Sequence, residues 1–240
     1  MKSPDQPLPL ANVIAVVGSD GSGKSTLTTD LAAHLRKERP IALLYLGQSS
    51  GNILDGIRRL PLIGPPIGRY LLRGSNRAHA ADRKHASPDI PTALAIHLLS
   101  RWRHLKFRRM LALNRRDVAV ITDRYPQAEV LGFYFDGPGL AATEATRGIV
   151  RWLAARELRL YERMARHVPA LVIRLNVDAD TAYARKPDHK LSMLRDKVRV
   201  IPTLNFNGAH IVDLDSRAPY PQVLQAALAA ARAAVGTEQT

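Results

Sequence analysis

The sequence predicts an α/β fold, a three-layer arrangement in which a parallel sheet is covered by helices on both faces. Three observations carry this. Short apolar runs alternate with amphipathic helical stretches along the chain. The first run, Val13-Ile14-Ala15-Val16-Val17, opens into a glycine-rich turn and then a helix. With 46% apolar residues in 240, the chain can bury one large core, so a single domain over 1–240 is expected.

The turn is Gly18-Ser19-Asp20-Gly21-Ser22-Gly23-Lys24-Ser25-Thr26. It fits the pattern G-x-x-x-x-G-K-[ST] between strand and helix, the context in which that pattern binds nucleotide phosphates. Glycines let successive N–H groups turn inward around a polyphosphate, and the dipole of the following helix adds to the anion site. Lys24 then reaches the β- and γ-phosphates, and the Ser25 hydroxyl is a ligand for Mg²⁺. ATP and Mg²⁺ are therefore the expected cofactors.

Leu27 to Arg36 continues as a helix that Pro40 stops, and Ile41 to Leu46 is a second strand. The loop after it, with Gln48, lies where ligands sit in open parallel sheets, and it reads equally as an acceptor wall or a plain connection. Residues 52–90 form a Pro-, Gly- and Arg-rich insertion in which Asp82 is the single acid between Arg58 and Lys84. A solvated excursion, a flap and a docking patch for an acidic surface all fit it. Pro91 opens a long helix with Leu94, Leu98, Leu105 and Ala112 close to one face.

Asp117 to Thr122 is the third strand and delivers Asp123 at its end, the usual carboxylate partner of a nucleotide-bound Mg²⁺. A strand-end Asp also serves turns. Arg124 beside it can clamp a phosphate in a bidentate way, or pair structurally with Asp123. Residues 144–167 form another helix, Ala170 to Val177 a strand, and Asp180 to Arg185 a short helix. The basic segment 185–199 follows; helical from Lys190, it sets Arg195 and Arg199 on one face, as a phosphate-covering lid or as a solvated helix. Ala209 to Leu214 is the last strand, and an Ala-rich helix closes the chain.

The formal charge of +14 favours anionic partners without naming one. With no cysteine, disulfide and thiol chemistry are excluded. Met1 to Leu10 holds Pro4, Pro7 and Pro9 and no continuous apolar core, and no stretch has the length of a membrane span, so a cytoplasmic enzyme is expected.

In the order of its motifs the chain resembles the thymidylate kinase-like group of P-loop nucleoside and nucleotide kinases. Four pieces carry the resemblance: Gly18 to Thr26 with Asp20 inside the loop, Arg101-x-x-His104, Asp123-Arg124-Tyr125, and Leu175-Asn176-Val177-Asp178 before the basic lid. The resemblance implies that Lys24 and Arg124 bind phosphate, that Asp20 lies near the acceptor's sugar hydroxyl, and that Arg101 lies against the acceptor. It puts Asp123 at the metal or on the acceptor side, and makes Arg185 and Arg195 the candidate lid cations. Thymidylate kinases carry Arg-Glu-Pro-Gly after the second strand, where this chain has Leu46-Gly47-Gln48-Ser49. Beyond Asp-Arg-Tyr they carry a serine and Ala-Tyr-Gln, where it has Pro126-Gln127-Ala128-Glu129. Both departures fall on the acceptor side. The expected partners are a nucleotide donor and a small anionic or hydroxylated acceptor, either a nucleoside monophosphate or a sugar or other metabolite. A nucleotide-dependent binding module on nucleic acid or an acidic surface is the rival from another class; nucleic acid is disfavoured by the scarcity of aromatics in the basic stretches. A homodimer is left open.

Overall fold

The structure, a computed structural model, describes residues 6–47, 88, 90–142 and 148–235. Five strands, β1 (Leu8–Gly18), β2 (Ile41–Tyr45), β3 (Ala119–Asp123), β4 (His167–Asn176) and β5 (Ile211–Asp215), form one parallel sheet in the order β2-β3-β1-β4-β5. Six α-helices are described: α1 (Lys24–Leu35), α2 (Ile90–Asn114), α3 (Gly148–Ala165), α4 (Ala179–Arg185), α5 (Leu191–Val200) and α6 (Tyr220–Val235). The expected insertion over 52–87 and Gln48 fall outside the described residues.

Side chains alternate along β1, so one strand feeds two cores. Ile14 and Val16 pack with Leu27 and Leu31 of α1 and with Ala227 of α6. Val13, Ala15 and Val17 face the other way, onto Phe107 and Met110 of α2 and Leu160 and Tyr161 of α3. Both faces being covered, the central strands β1 and β3 read as continuous apolar runs.

Two elements differ from expectation. β1 begins at Leu8, ahead of the apolar run, because Leu8, Pro9 and Leu10 pair with His167, Val168 and Pro169 before a register shift between Leu10 and Ile14. β3 pairs with β1 only from Val13 onward, so Pro9 lies where the other edge asks for no ladder bond. In α2 the leucine face at 94, 98 and 105 is exposed, and the buried stripe carries Ala93, Ser100, Arg103, Phe107 and Met110. Ser100 Oγ donates to Glu157 Oε1 at 2.5 Å, and the Leu140 N–H donates to Glu157 Oε2 at 2.7 Å, tying α2 to α3 through a buried carboxylate.

Candidate functional site: the loop between β1 and α1

The parallel sheet brings the ends of β1, β2, β3 and β4 to one edge, and the loop from Gly18 to Gly23 spans it. Gly21 and Gly23 hold left-handed backbone, with φ of 82° and 83°. A side chain at Gly21 would strike the Ala182 carbonyl oxygen, 2.6 Å from its Cβ, so the loop also packs directly on α4. Lys24 opens α1, is buried, and donates to the Ser19 carbonyl at 2.8 Å.

Asp20 is the hub. Its carboxylate meets Arg124 Nη2 at 2.7 Å, Lys24 Nζ at 3.5 Å and Lys197 Nζ of α5. Burial pushes the Asp20 carboxyl up, but Lys197, Arg124 and Lys24 outweigh it and hold it far below the usual carboxylate range. Burial lowers Lys24 in turn to about 8, with Arg124 acting the same way and Asp20 and Asp123 opposing.

Arg124 extends the network. Its Nη1 lies 3.2 Å from Asp136 Oδ2, and Asp136 Oδ1 takes Arg103 Nη2 at 3.1 Å. Burial raises the Asp136 carboxyl, and Arg124, Arg103 and Lys197 together bring it below its ordinary value. Lys106 donates to the Gly47 carbonyl at 2.5 Å and sits 5.0 Å from the centre of the Tyr45 ring at the end of β2.

Asp123, last residue of β3, accepts a hydrogen bond from Ser25 Oγ at 2.7 Å through Oδ2, while its Oδ1 is buried without a partner. Ser25 sits in the first turn of α1, so a hydroxyl and a carboxylate are juxtaposed beside the loop. A hydroxyl oxygen and an orphaned carboxylate oxygen suit a hard, oxygen-preferring cation such as Mg²⁺, which keeps most of its shell for phosphate and water. Among the described residues no group of three His, Cys, Asp or Glu converges, and a magnesium ion held through phosphates does not need one.

The expected site residues divide. Loop residues 18–26 meet Asp123, Arg124 and Arg185 at this edge; Arg185 Nη1 donates to the Gly21 carbonyl at 3.3 Å and its Nη2 to the Ser216 carbonyl at 3.1 Å. Arg101 is elsewhere: it is exposed on α2 and lines a groove with α3. Two positions on, one half-turn around the helix, Arg103 reaches the network instead. Arg195 is exposed on α5 and has no hydrogen-bond or ion-pair partner among the described residues, whereas Lys197 turns inward to Asp20. Arg103, Lys197 and Asp136 were therefore missed. Helical spacing could have found two of them: Lys197 follows buried Leu194 by three positions, and Arg103 shares the stripe of Ser100 and Phe107. Asp136 gives no such signal, since it depends on a loop that the buried Gln127 side chain closes onto Val130 and Phe135 carbonyls at 2.8 and 2.9 Å.

A parallel sheet in this strand order, with a glycine-rich loop running into a helix that starts on Lys24-Ser25, defines an α/β protein of the P-loop class. The chain belongs to the family of YghS and YghR of Escherichia coli K12, both named uncharacterized ATP-binding proteins. It is 52% identical to YghS over 223 residues, 93% of each chain. It is 44% identical to YghR over 222 residues, 92% of this chain and 87% of YghR. No family model matches the chain.

Proposed function

We propose that the protein is an ATP- and Mg²⁺-dependent phosphotransferase of the thymidylate kinase-like type, moving a γ-phosphate to a nucleoside monophosphate or a similar small acceptor. The Ser25–Asp123 contact carries the reading, because it offers a hydroxyl and a free carboxylate oxygen beside a loop of inward amides. ATP as donor is supported by the names of the two relatives. When bound, Mg²⁺ supplies charge neutralisation across the β- and γ-phosphate oxygens. The loop amides and Lys24 hold the triphosphate, and Ser25 and Asp123 hold the metal. Phosphoryl transfer asks little covalent work of a protein and much positioning and charge stabilisation. Arg124 and Lys197 are the cations grouped at the loop for that task, and Arg185 braces the loop from α4.

Calorimetry with MgATP, followed by ADP release against nucleoside monophosphates and free sugars, tests this. Binding that Lys24→Ala abolishes, with turnover lost by orders of magnitude, is expected. Near-normal turnover in Lys24→Ala overturns the mechanism.

One observation favours a hydroxylated metabolite over a monophosphate as acceptor. Asp136 already neutralises both Arg103 and Arg124, so an anionic acceptor must displace a carboxylate to reach them. ADP release with sugars alone selects this second reading.

A further inference from the structure

Ile90, Leu94, Leu98, Trp102 and Leu105 recur every three or four residues of α2 and make a ridge, each between 47% and 55% exposed. Beside it, Ile149 and Trp152 of α3 are exposed to the same degree. Soluble proteins rarely leave so continuous an apolar strip uncovered without a partner for it.

Between ridge and α3 lies a groove with a cavity of about 250 Å³, lined by Arg101, Arg156, Arg159 and Arg163 together with His97 and Trp152. None of the four guanidinium groups has a carboxylate partner among the described residues. Arg156 stacks 4.7 Å from the centre of the Trp152 ring, and Arg159 Nε donates to the Ala155 carbonyl at 3.2 Å. α2 contains no Asp or Glu along its length. Of the two acids in α3, Glu157 is buried against Ser100, and Glu162 faces a separate groove shared with Glu129 and Asn205. The His97 Nδ1 is buried without a partner, and burial with Arg101 and Arg156 pushes that imidazole down. The groove gathers positive charge and lacks its counterpart.

We propose that the joined outer faces of α2 and α3 dock on an anionic phospholipid bilayer, the arginine groove taking headgroup phosphates and the ridge entering the acyl boundary. Charge complementarity selects this occupant. A second copy of the chain, paired about the middle of the ridge, would set each Arg101 near its own symmetry mate and leave the groove cations uncompensated. Nucleic acid would satisfy the arginines but offers little to a row of leucines. A bilayer with acidic headgroups meets both halves at once, and tryptophans flanked by arginines are the composition of interfacial helices. The surface lies apart from the loop, so its failure would leave the phosphotransferase reading intact.

The chain's only two tryptophans are Trp102 and Trp152, so its fluorescence reports from this surface alone. The full chain is titrated with phosphatidylglycerol–phosphatidylcholine vesicles and with phosphatidylcholine vesicles. A blue shift and co-sedimentation with the acidic vesicles only, weakened by salt, are expected. Arg156→Gln with Arg159→Gln should cost roughly fivefold in affinity per arginine, and Leu98→Gln with Leu105→Gln should remove the blue shift. Equal binding to neutral vesicles, or none to either, overturns the proposal. So does emission already blue and insensitive to lipid, which means the ridge is covered within the chain. A concentration-dependent dimer, or a shift with nucleic acid, in the absence of vesicle binding overturns it in favour of those occupants.

Discussion

Arg124 and Asp136 face each other 3.2 Å apart, and both hold left-handed backbone, with φ of 71° and 61°. A non-glycine residue in that region costs of order 1–3 kcal/mol, and persists only where the surroundings impose it. Here they do. The Arg124 N–H donates to the Val16 carbonyl at 3.0 Å, hooking it over β1, and the Gln127 N–H donates to the Asp136 carbonyl at 3.3 Å. The strain aims one guanidinium at Asp20 in the loop and one carboxylate at two arginines. Asp136→Asn tolerates the same backbone while removing the charge. It strands Arg103, which is fully buried, and should cost about 3 kcal/mol in urea unfolding. Asp136→Ala should cost more, since it adds backbone strain. A loss below about 1 kcal/mol in both would mean that Arg103 finds another partner.

Lys197 and Arg195 lie two residues apart on α5 with opposite fates, one ion-paired to Asp20 and the other exposed. In the proposed reaction Lys197→Met removes a cation from the loop, and turnover should fall about 10²- to 10³-fold. MgATP affinity by calorimetry should change far less, because the loop amides and Lys24 stay. Arg195→Met should leave both within about twofold, as surface changes usually do. A larger loss from Arg195→Met than from Lys197→Met would return the lid role to the residue that spacing alone suggested.

Much of this was legible before any coordinates, and the division has a physical cause. The loop from Gly18 to Ser25 and the strand ending in Asp123 announce themselves because both are local: motif, apolar run and helix start are adjacent in sequence. Which face of a helix is buried is a tertiary matter. In α2 the leucines outnumber the residues that pack, so the apolar face looked like the core face, and Arg101 was chosen over the buried Arg103. In α5 the pairing of Arg195 with Arg199 was sound helical geometry, but both lie on the exposed side. Asp136 belongs to a loop whose shape depends on Gln127, and no periodicity encodes that.

Gly21 and Gly23 share a φ near 82° but differ in what surrounds them. A Cβ at Gly23 meets nothing within 4 Å, while one at Gly21 would lie 2.6 Å from the Ala182 carbonyl oxygen. Gly23→Ala should therefore cost only the left-handed penalty, about 1–2 kcal/mol. Gly21→Ala adds a clash with backbone and must push α4 away from the loop, so its loss should be larger by about 1–3 kcal/mol. Thermal unfolding of the two variants compares them, and equal losses would show that α4 yields without resistance.

Lys24 carries a pH signature. Burial lowers it to about 8 in the free protein, against an ordinary lysine value of 10.5. A lysine with a depressed folded value destabilises the fold while charged, because between about 8 and 10.5 the unfolded chain binds the extra proton. Through that window the Lys24 contribution makes stability rise with pH. Lys24→Met should flatten this rise and be at least as stable as the parent near pH 7, the expected trade of stability for a functional charge. A bound triphosphate favours the ammonium form, so MgATP binding near pH 8.5 should take up a proton, and near pH 6.5 should not. Calorimetry in buffers of different ionisation enthalpy measures this. Lys106, also lowered to about 8 by burial and Arg103, is the control: Lys106→Met should keep the uptake if Lys24 is its source, and loss of uptake in that variant would assign it to Lys106 instead.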